Sequence, residues 1–143
     1  MKVKVKKLHP NAVIPKYATD GAACFDLQTV ERVPGLFAGS GTVFRTGLSF
    51  EVPAGYVMLV FSRSGHAFKN GIRLANCVGV IDSDYRGEVM VKLHHDGDGL
   101  VSFEAGDRIA QAMIIPVNKV ELEEADDLSE TERGEGGFGS TGK

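Results

Sequence analysis

Several things are scarce in this chain, and each scarcity excludes a class of protein. Two cysteines in 143 residues, Cys24 and Cys77, are too few for a disulfide framework. No apolar leader precedes the first polar residues, so reduced thiols are the expected state. The four histidines, His9, His66, His94 and His95, form no His-x-x-x-His pair, and no spacing fits a zinc site. Long apolar runs are missing too. The run Tyr56–Phe61 falls far short of the roughly 20 residues that span a bilayer. Positive charge is not massed beyond Lys2-Val3-Lys4-Val5-Lys6-Lys7, and the net charge is −3. That balance argues against general binding of DNA or RNA. It leaves room for a small anion held by a few placed cations.

What is abundant is glycine, with 18 residues, many of them at turns between short apolar runs. Strand signals dominate. Val3–Leu8 alternates charge with valine and reads as an edge strand with one wet face. Thr42–Val52 is rich in β-branched and aromatic residues and ends at the turn Pro53-Ala54-Gly55. Tyr56–Phe61 reads as a strand buried on both faces, and Val78–Ile81, Glu88–His94 and Ile109–Val117 continue the pattern. Only His66–Gly71 has room for a helical turn or two, while the acidic stretch Leu122–Glu132 reads as another turn or a solvated connection. Many short strands joined by Gly/Pro turns imply one all-β domain, a barrel or a jelly roll. Pro116 cannot donate a ladder hydrogen bond and is placed to end the body and redirect the chain.

The last eleven residues, Arg133–Lys143, contain five glycines and one large apolar group, Phe138. Such a segment cannot offset its ordering entropy alone, so it is expected to be mobile. It nevertheless carries unhindered N–H groups, two hydroxyls, an arginine and a ring suited to stacking on a base. That combination suits closure over a polyphosphate ligand. Gly137–Lys143 also fits the first part of a P-loop. Nothing in the sequence follows Lys143 to supply the metal-binding hydroxyl or a helix, so that reading is set aside.

Three further segments carry chemistry. In Asn76–Val91 two apolar runs flank a polar turn, which reads as a β-hairpin with Asp82 at the strand end. A carboxylate held beside an apolar wall suits a general base, although a turn Asp often only caps its own backbone. Arg63-Ser64-Gly65 offers a cation, a hydroxyl and a glycine before a helix start, a phosphate site or simply an N-cap by Ser64. Asp26 lies in the apolar stretch Ala22–Leu27 and needs a partner or a hydrated metal. In Gly106–Gln111 the Gln111 amide is available to a phosphate, or is merely exposed beyond a turn.

Taken together these segments resemble the trimeric dUTPases. Five motifs of that family stand in order: Ala23-Cys24-Phe25-Asp26-Leu27, Arg63–Ile72, Gly79–Gly87, Gly106–Gln111, and the tail from Arg133 to Gly142. Cys24-Phe25 replaces the family's usual Gly-Tyr, and His66 its usual Leu. Neither change removes a charged catalytic group. The resemblance implies a distorted, jelly-roll-like β-barrel of residues 1–116 and a connecting arm, 117–132, swapped to a neighbour in a homotrimer. Residues 133–143 would be the mobile tail that closes over the site.

It implies hydrolysis of dUTP to dUMP and pyrophosphate, which keeps uracil out of DNA and supplies dUMP for dTMP synthesis. Asp82 would activate the water attacking the α-phosphorus. Asp26 would hold Mg²⁺ through water. Arg63, Ser64, Gly65 and Gln111 would bind phosphates, and Arg133 would reach the γ-phosphate with Gly139, Ser140 and Thr141 beside it. Asn76 and the strand Gly79-Val80-Ile81, with Met90 opposite, would receive the uracil edge. Tyr85 would pack under the deoxyribose and Phe138 stack over the base. The resemblance also implies a cytoplasmic location. A viral source would mean the host cytoplasm and add a protein partner. A deaminase of dCTP on the same fold is the rival reading, against which Asp82 and the tail both argue. A regulatory protein on this body, with nucleotide as its switch, is the other.

Overall fold

The computed structural model describes residues 1–142. Its strands are β1 (Lys4–Lys7), β2 (Phe25–Gln28), β3 (Val33–Phe37), β4 (Gly41–Arg45), β5 (Leu48–Glu51) and β6 (Tyr56–Phe61). The one described helix, α1 (Ser64–Asn70), follows, and then β7 (Ile72–Leu74), β8 (Val78–Ile81), β9 (Met90–His95), β10 (Leu100–Phe103) and β11 (Arg108–Pro116). They pair antiparallel into small sheets ordered β2-β11-β6-β8, β4-β9-β7, β1-β5 and β10-β3. The result is a distorted jelly roll, as the density of short strands and turns implied.

The core lies between these sheets. Phe44, Phe103, Leu27, Leu36, Met58 and Leu93 are essentially inaccessible, and Phe44 meets Phe103 edge to face at 4.9 Å. Burial of this kind stabilises by about 25 cal/mol for each Å² of apolar surface removed from water. It must offset the ordering of many short strands that are weak alone.

The expected strand Thr42–Val52 is broken. It makes β4, a corner at Thr46-Gly47, and β5. Gly47 has φ 65°, and a Cβ there would press on His9, Val30 and Ala12, so the corner needs glycine. Strands β3, β7 and β10 lack a clear sequence signal. β3 contains Pro34-Gly35 and tolerates it because it pairs on one side only, with β10. The run Tyr56–Phe61 is not buried on both faces, since Tyr56, Val57, Leu59 and Phe61 remain half-exposed. After Pro116, residues 117–132 are exposed and form no helix or strand. The arm's last ladder-like bond to the body runs from Val117 N–H to Gly55 C=O (2.9 Å).

Candidate active site

At one end of the four-stranded sheet the pairing fixes a row. Gln111 of β11 stands opposite Asp26 of β2 on one side and Phe61 of β6 on the other. β6 then leads into Arg63, the N-cap of α1, in extended conformation (φ −94°, ψ 132°). Arg63 Nε donates to Asp26 Oδ1 (2.7 Å), and Arg108 Nη1 donates to Asp26 Oδ2 (3.3 Å). The lone carboxylate in the apolar stretch therefore has two guanidinium partners. Arg63 and Asp26 are both largely shielded, with side chains 23% and 22% exposed, so their pairing is stronger than a surface ion pair.

Ser64 does not cap the helix. Among the described residues no side chain caps α1, and Ser64 lies exposed beside Gly65. Gln111 is not a loose surface amide either, for its Nε2 donates to Ser62 C=O (2.9 Å). His66 Nε2–H donates to Arg108 C=O (2.7 Å), tying α1 to the start of β11. Burial, and then the Asp26 carboxylate nearby, push the Cys24 thiol up from its ordinary value. This end of the sheet gathers two guanidiniums, an unengaged hydroxyl and a fixed amide around one carboxylate, which suits a phosphate chain. Arg108 is not singled out within the motif Gly106–Gln111, since its nearness to Asp26 depends on β2 pairing with β11.

The segment Asn76–Val91 is not a closed hairpin. β8 pairs with β6, whereas β9 pairs with β4 and β7, so the two arms belong to different sheets. Their separation opens a cavity of about 540 Å³ lined by Asn76, Gly79, Val80, Ile81, Met90 and Val60. A second cavity of about 290 Å³ adjoins it, lined by Val80, Ile81, Asp82, Tyr85, Glu88 and Met90. The Val80-Ile81 strand is the wall they share. Asn76, Gly79, Val80, Ile81, Tyr85 and Met90, singled out from sequence, are thus brought together here with Asp82.

Within the single chain Asp82 is exposed rather than desolvated. Among the described residues no hydrogen bond engages its carboxylate, and the turn is held instead by Arg86 Nη1 donating to Ser83 C=O (2.7 Å). Asp82 and Asp84 therefore do not serve as caps of that turn.

One chain does not unite its site residues. Val78 lies opposite Phe61, in the row of Gln111 and Asp26, while Ile81 lies opposite Met58. Asp82 is thus four residues further along, about 13 Å at strand rise. The tail is separate again. Gly136, Ser140 and Gly142 donate to tail carbonyls, Gly134 N–H donates to the carbonyl and the hydroxyl of Thr131 (both 3.1 Å), and Arg133 Nε donates to Gly136 C=O (2.7 Å). Phe138 stands fully exposed at φ 52°. Gly139, Ser140 and Thr141 are exposed beside it. Lys143 lies outside the described residues.

The family model for dUTPase matches residues 10–142. The chain belongs to the dUTPase family. Among curated relatives, the deoxyuridine 5'-triphosphate nucleotidohydrolase of Nautilia profundicola is 49% identical over 143 residues, 100% of each chain. That of Helicobacter pylori 26695 is 44% identical over 142 residues, 99% of this chain and 97% of the relative. Among solved structures, Staphylococcus bacteriophage 80alpha dUTPase with dUPNHPP superposes with a TM-score of 0.92 at 29% identity, covering 99% of both chains. The match extends over nearly all of the chain, the glycine-rich residues 133–142 included.

Proposed function

We propose that the protein hydrolyses dUTP to dUMP and pyrophosphate in sites built between the chains of a homotrimer. The observation that carries the composite site is the separation just described. One chain holds an open cavity of about 540 Å³ with a carboxylate near its lip, a distant cluster of phosphate-type donors, and a tail with hydrogen bonds to neither. Assembly supplies to each cavity the donors that its own chain holds elsewhere.

In this reading uracil enters between β8 and β9, with its polar edge toward Asn76 and the backbone of Gly79, Val80, Ile81 and Met90. Tyr85 lies under the deoxyribose, where a 2'-hydroxyl would collide. Arg63, Ser64, Gly65 and Gln111 of a neighbouring chain bind the phosphates. Asp82 orients a water in line with the α-phosphorus and accepts its proton. Positioning of this kind accounts for most catalysis in phosphoryl chemistry. Arg133 of a tail then adds positive charge at the γ-phosphate, with Gly139, Ser140 and Thr141 beside it and Phe138 over the base.

The residues fit a hydrated Mg²⁺ rather than a protein-caged one. Each Asp26 oxygen already accepts from one guanidinium but keeps lone-pair capacity for a water. Among the described residues no three His, Cys, Asp or Glu side chains converge. Asp26 would hold the ion's waters, and the ion would offset triphosphate charge.

The arm supports the trimer. Val120, Leu122 and Leu128 are 74%, 91% and 89% exposed, apolar groups with nothing of their own chain to cover them. Its carboxylates Glu121, Glu123 and Glu124 complement Lys6 and Lys7 of edge strand β1, whose Lys4 is already paired with Glu51 (3.0 Å) and which among the described residues pairs only with β5. A neighbour's arm laid along β1 satisfies both.

A nucleotide panel tests the activity. Pyrophosphate release is expected from dUTP, with dTTP, dCTP and UTP slower by about a hundredfold or more, because clash and unpaired polar groups discriminate strongly. Comparable release from dCTP, or none from dUTP, would sink the proposal.

A further inference from the structure

The loop that carries Asp82 and Tyr85 is anchored through the corner between β4 and β5. Residues 82–89 connect strands of two different sheets, so no hairpin ladder fixes them. Their bonds to the rest of the domain run to one segment, the corner between β4 and β5. Val89 N–H donates to Leu48 C=O (2.8 Å), and the Thr46 hydroxyl donates to Val89 C=O (2.6 Å). The Ser49 hydroxyl donates to Arg86 C=O (2.7 Å).

Glu88 is the centre of this contact. Its Oε2 accepts from Arg45 Nε (3.1 Å) and Nη2 (3.0 Å), and its Oε1 accepts from Gly47 N–H (2.8 Å). The Glu88 side chain is only 14% exposed. The same residue's carbonyl accepts from the Tyr85 hydroxyl (3.0 Å), so the ring is tethered to the peptide that the ion pair holds. The ring lies so close to the chain that a Cβ at Gly87 would collide with the phenol oxygen. Glu88 also lines the second cavity with Asp82 and Tyr85.

We propose that Glu88, locked by Arg45 and Gly47, is a positioning residue that sets where the Tyr85 ring and Asp82 stand against the nucleotide. This rests on the roles given above to Tyr85 and Asp82. Glu88 acts through Tyr85 and the loop backbone rather than on the substrate. Its consequence is sugar selectivity, since a ring displaced by a fraction of an ångström no longer collides with a 2'-hydroxyl.

The test is the ratio of kcat/KM for dUTP to kcat/KM for UTP in Glu88→Gln, Glu88→Ala, Arg45→Ala and the Arg45→Ala/Glu88→Ala pair. Both substrates meet the same folded molecules, so a loss of folded fraction cancels from the ratio. Glu88→Gln keeps the acceptor for Gly47 N–H and loses the ion pair. A fall in the ratio of about tenfold is expected for Glu88→Gln and Arg45→Ala, and more for Glu88→Ala. The double variant should match Glu88→Ala, because the two groups act as one unit. A wild-type ratio in Arg45→Ala and Glu88→Gln would overturn the proposal. Should Glu88→Ala not fold, those two variants still decide it. If instead Asp82→Asn retains full turnover, the underlying site reading fails, whatever the ratio does.

Discussion

At the residue scale the account turns on Asp82. Asp82→Asn keeps the size and the hydrogen-bonding reach of the side chain and removes its basicity. Nucleotide binding should persist while turnover falls by about a hundredfold or more. Isothermal titration with a non-hydrolysable dUTP analogue, run beside a turnover assay, separates the two effects. Normal turnover would move the role elsewhere, with Asp26 the next suspect. The sequence showed the residue types at this scale but not their pairings. A carboxylate between Phe25 and Leu27 plainly required a partner. That the partners are Arg63 and Arg108 follows only once β2 and β6 flank β11. Glu88 is a sharper case. In sequence it is one more polar residue beside a turn, and its importance arises from Arg45 and Gly47, some forty positions earlier.

At the scale of elements, the long strands were legible from their period and the short ones were not. β7 has three residues and β3 contains Pro-Gly, so neither can display an alternation. The segment Asn76–Val91 misled in a more useful way. Two apolar runs about a polar turn read as a paired hairpin, but each arm finds a better neighbour in a separate sheet. The space between them becomes the cavity lined by Asn76, Gly79 and Met90. The tail belongs to this scale as well. Removing residues 133–143 takes away Arg133, the two hydroxyls, the glycine N–H groups and Phe138 together. Loss of a charge-stabilising arginine in phosphoryl chemistry costs on the order of a thousandfold. Phe138→Ala removes only stacking, about 1–3 kcal/mol. Hydrolysis of dUTP should therefore fall in the order wild type, Phe138→Ala, Arg133→Ala, full deletion. Melting temperatures without nucleotide should barely differ, because the described tail buries almost nothing. Protection from trypsin at Arg133 should need both a dUTP analogue and Mg²⁺. Equal rates for the truncated and full-length proteins would refute closure of the tail.

At the scale of the whole molecule, a single chain holds the candidate site residues apart from one another. Its sheet separates Asp82 from the Arg63 cluster, and its arm and tail extend apolar groups into solvent. The family resemblance indicated three chains, and the proposed composite site would use all three. The central claim is that each site draws Asp82 and the tail from different chains. Hybrid trimers test it most directly. Asp82→Asn chains and chains lacking residues 133–143 are each expected to be nearly inactive alone. Unfolded together in equal amounts and refolded, they should recover dUTP hydrolysis to about a quarter of wild type, the share of sites that draw an intact Asp82 and an intact tail from two chains at random. A mixture no more active than its two components would contradict the account and confine the site to one chain.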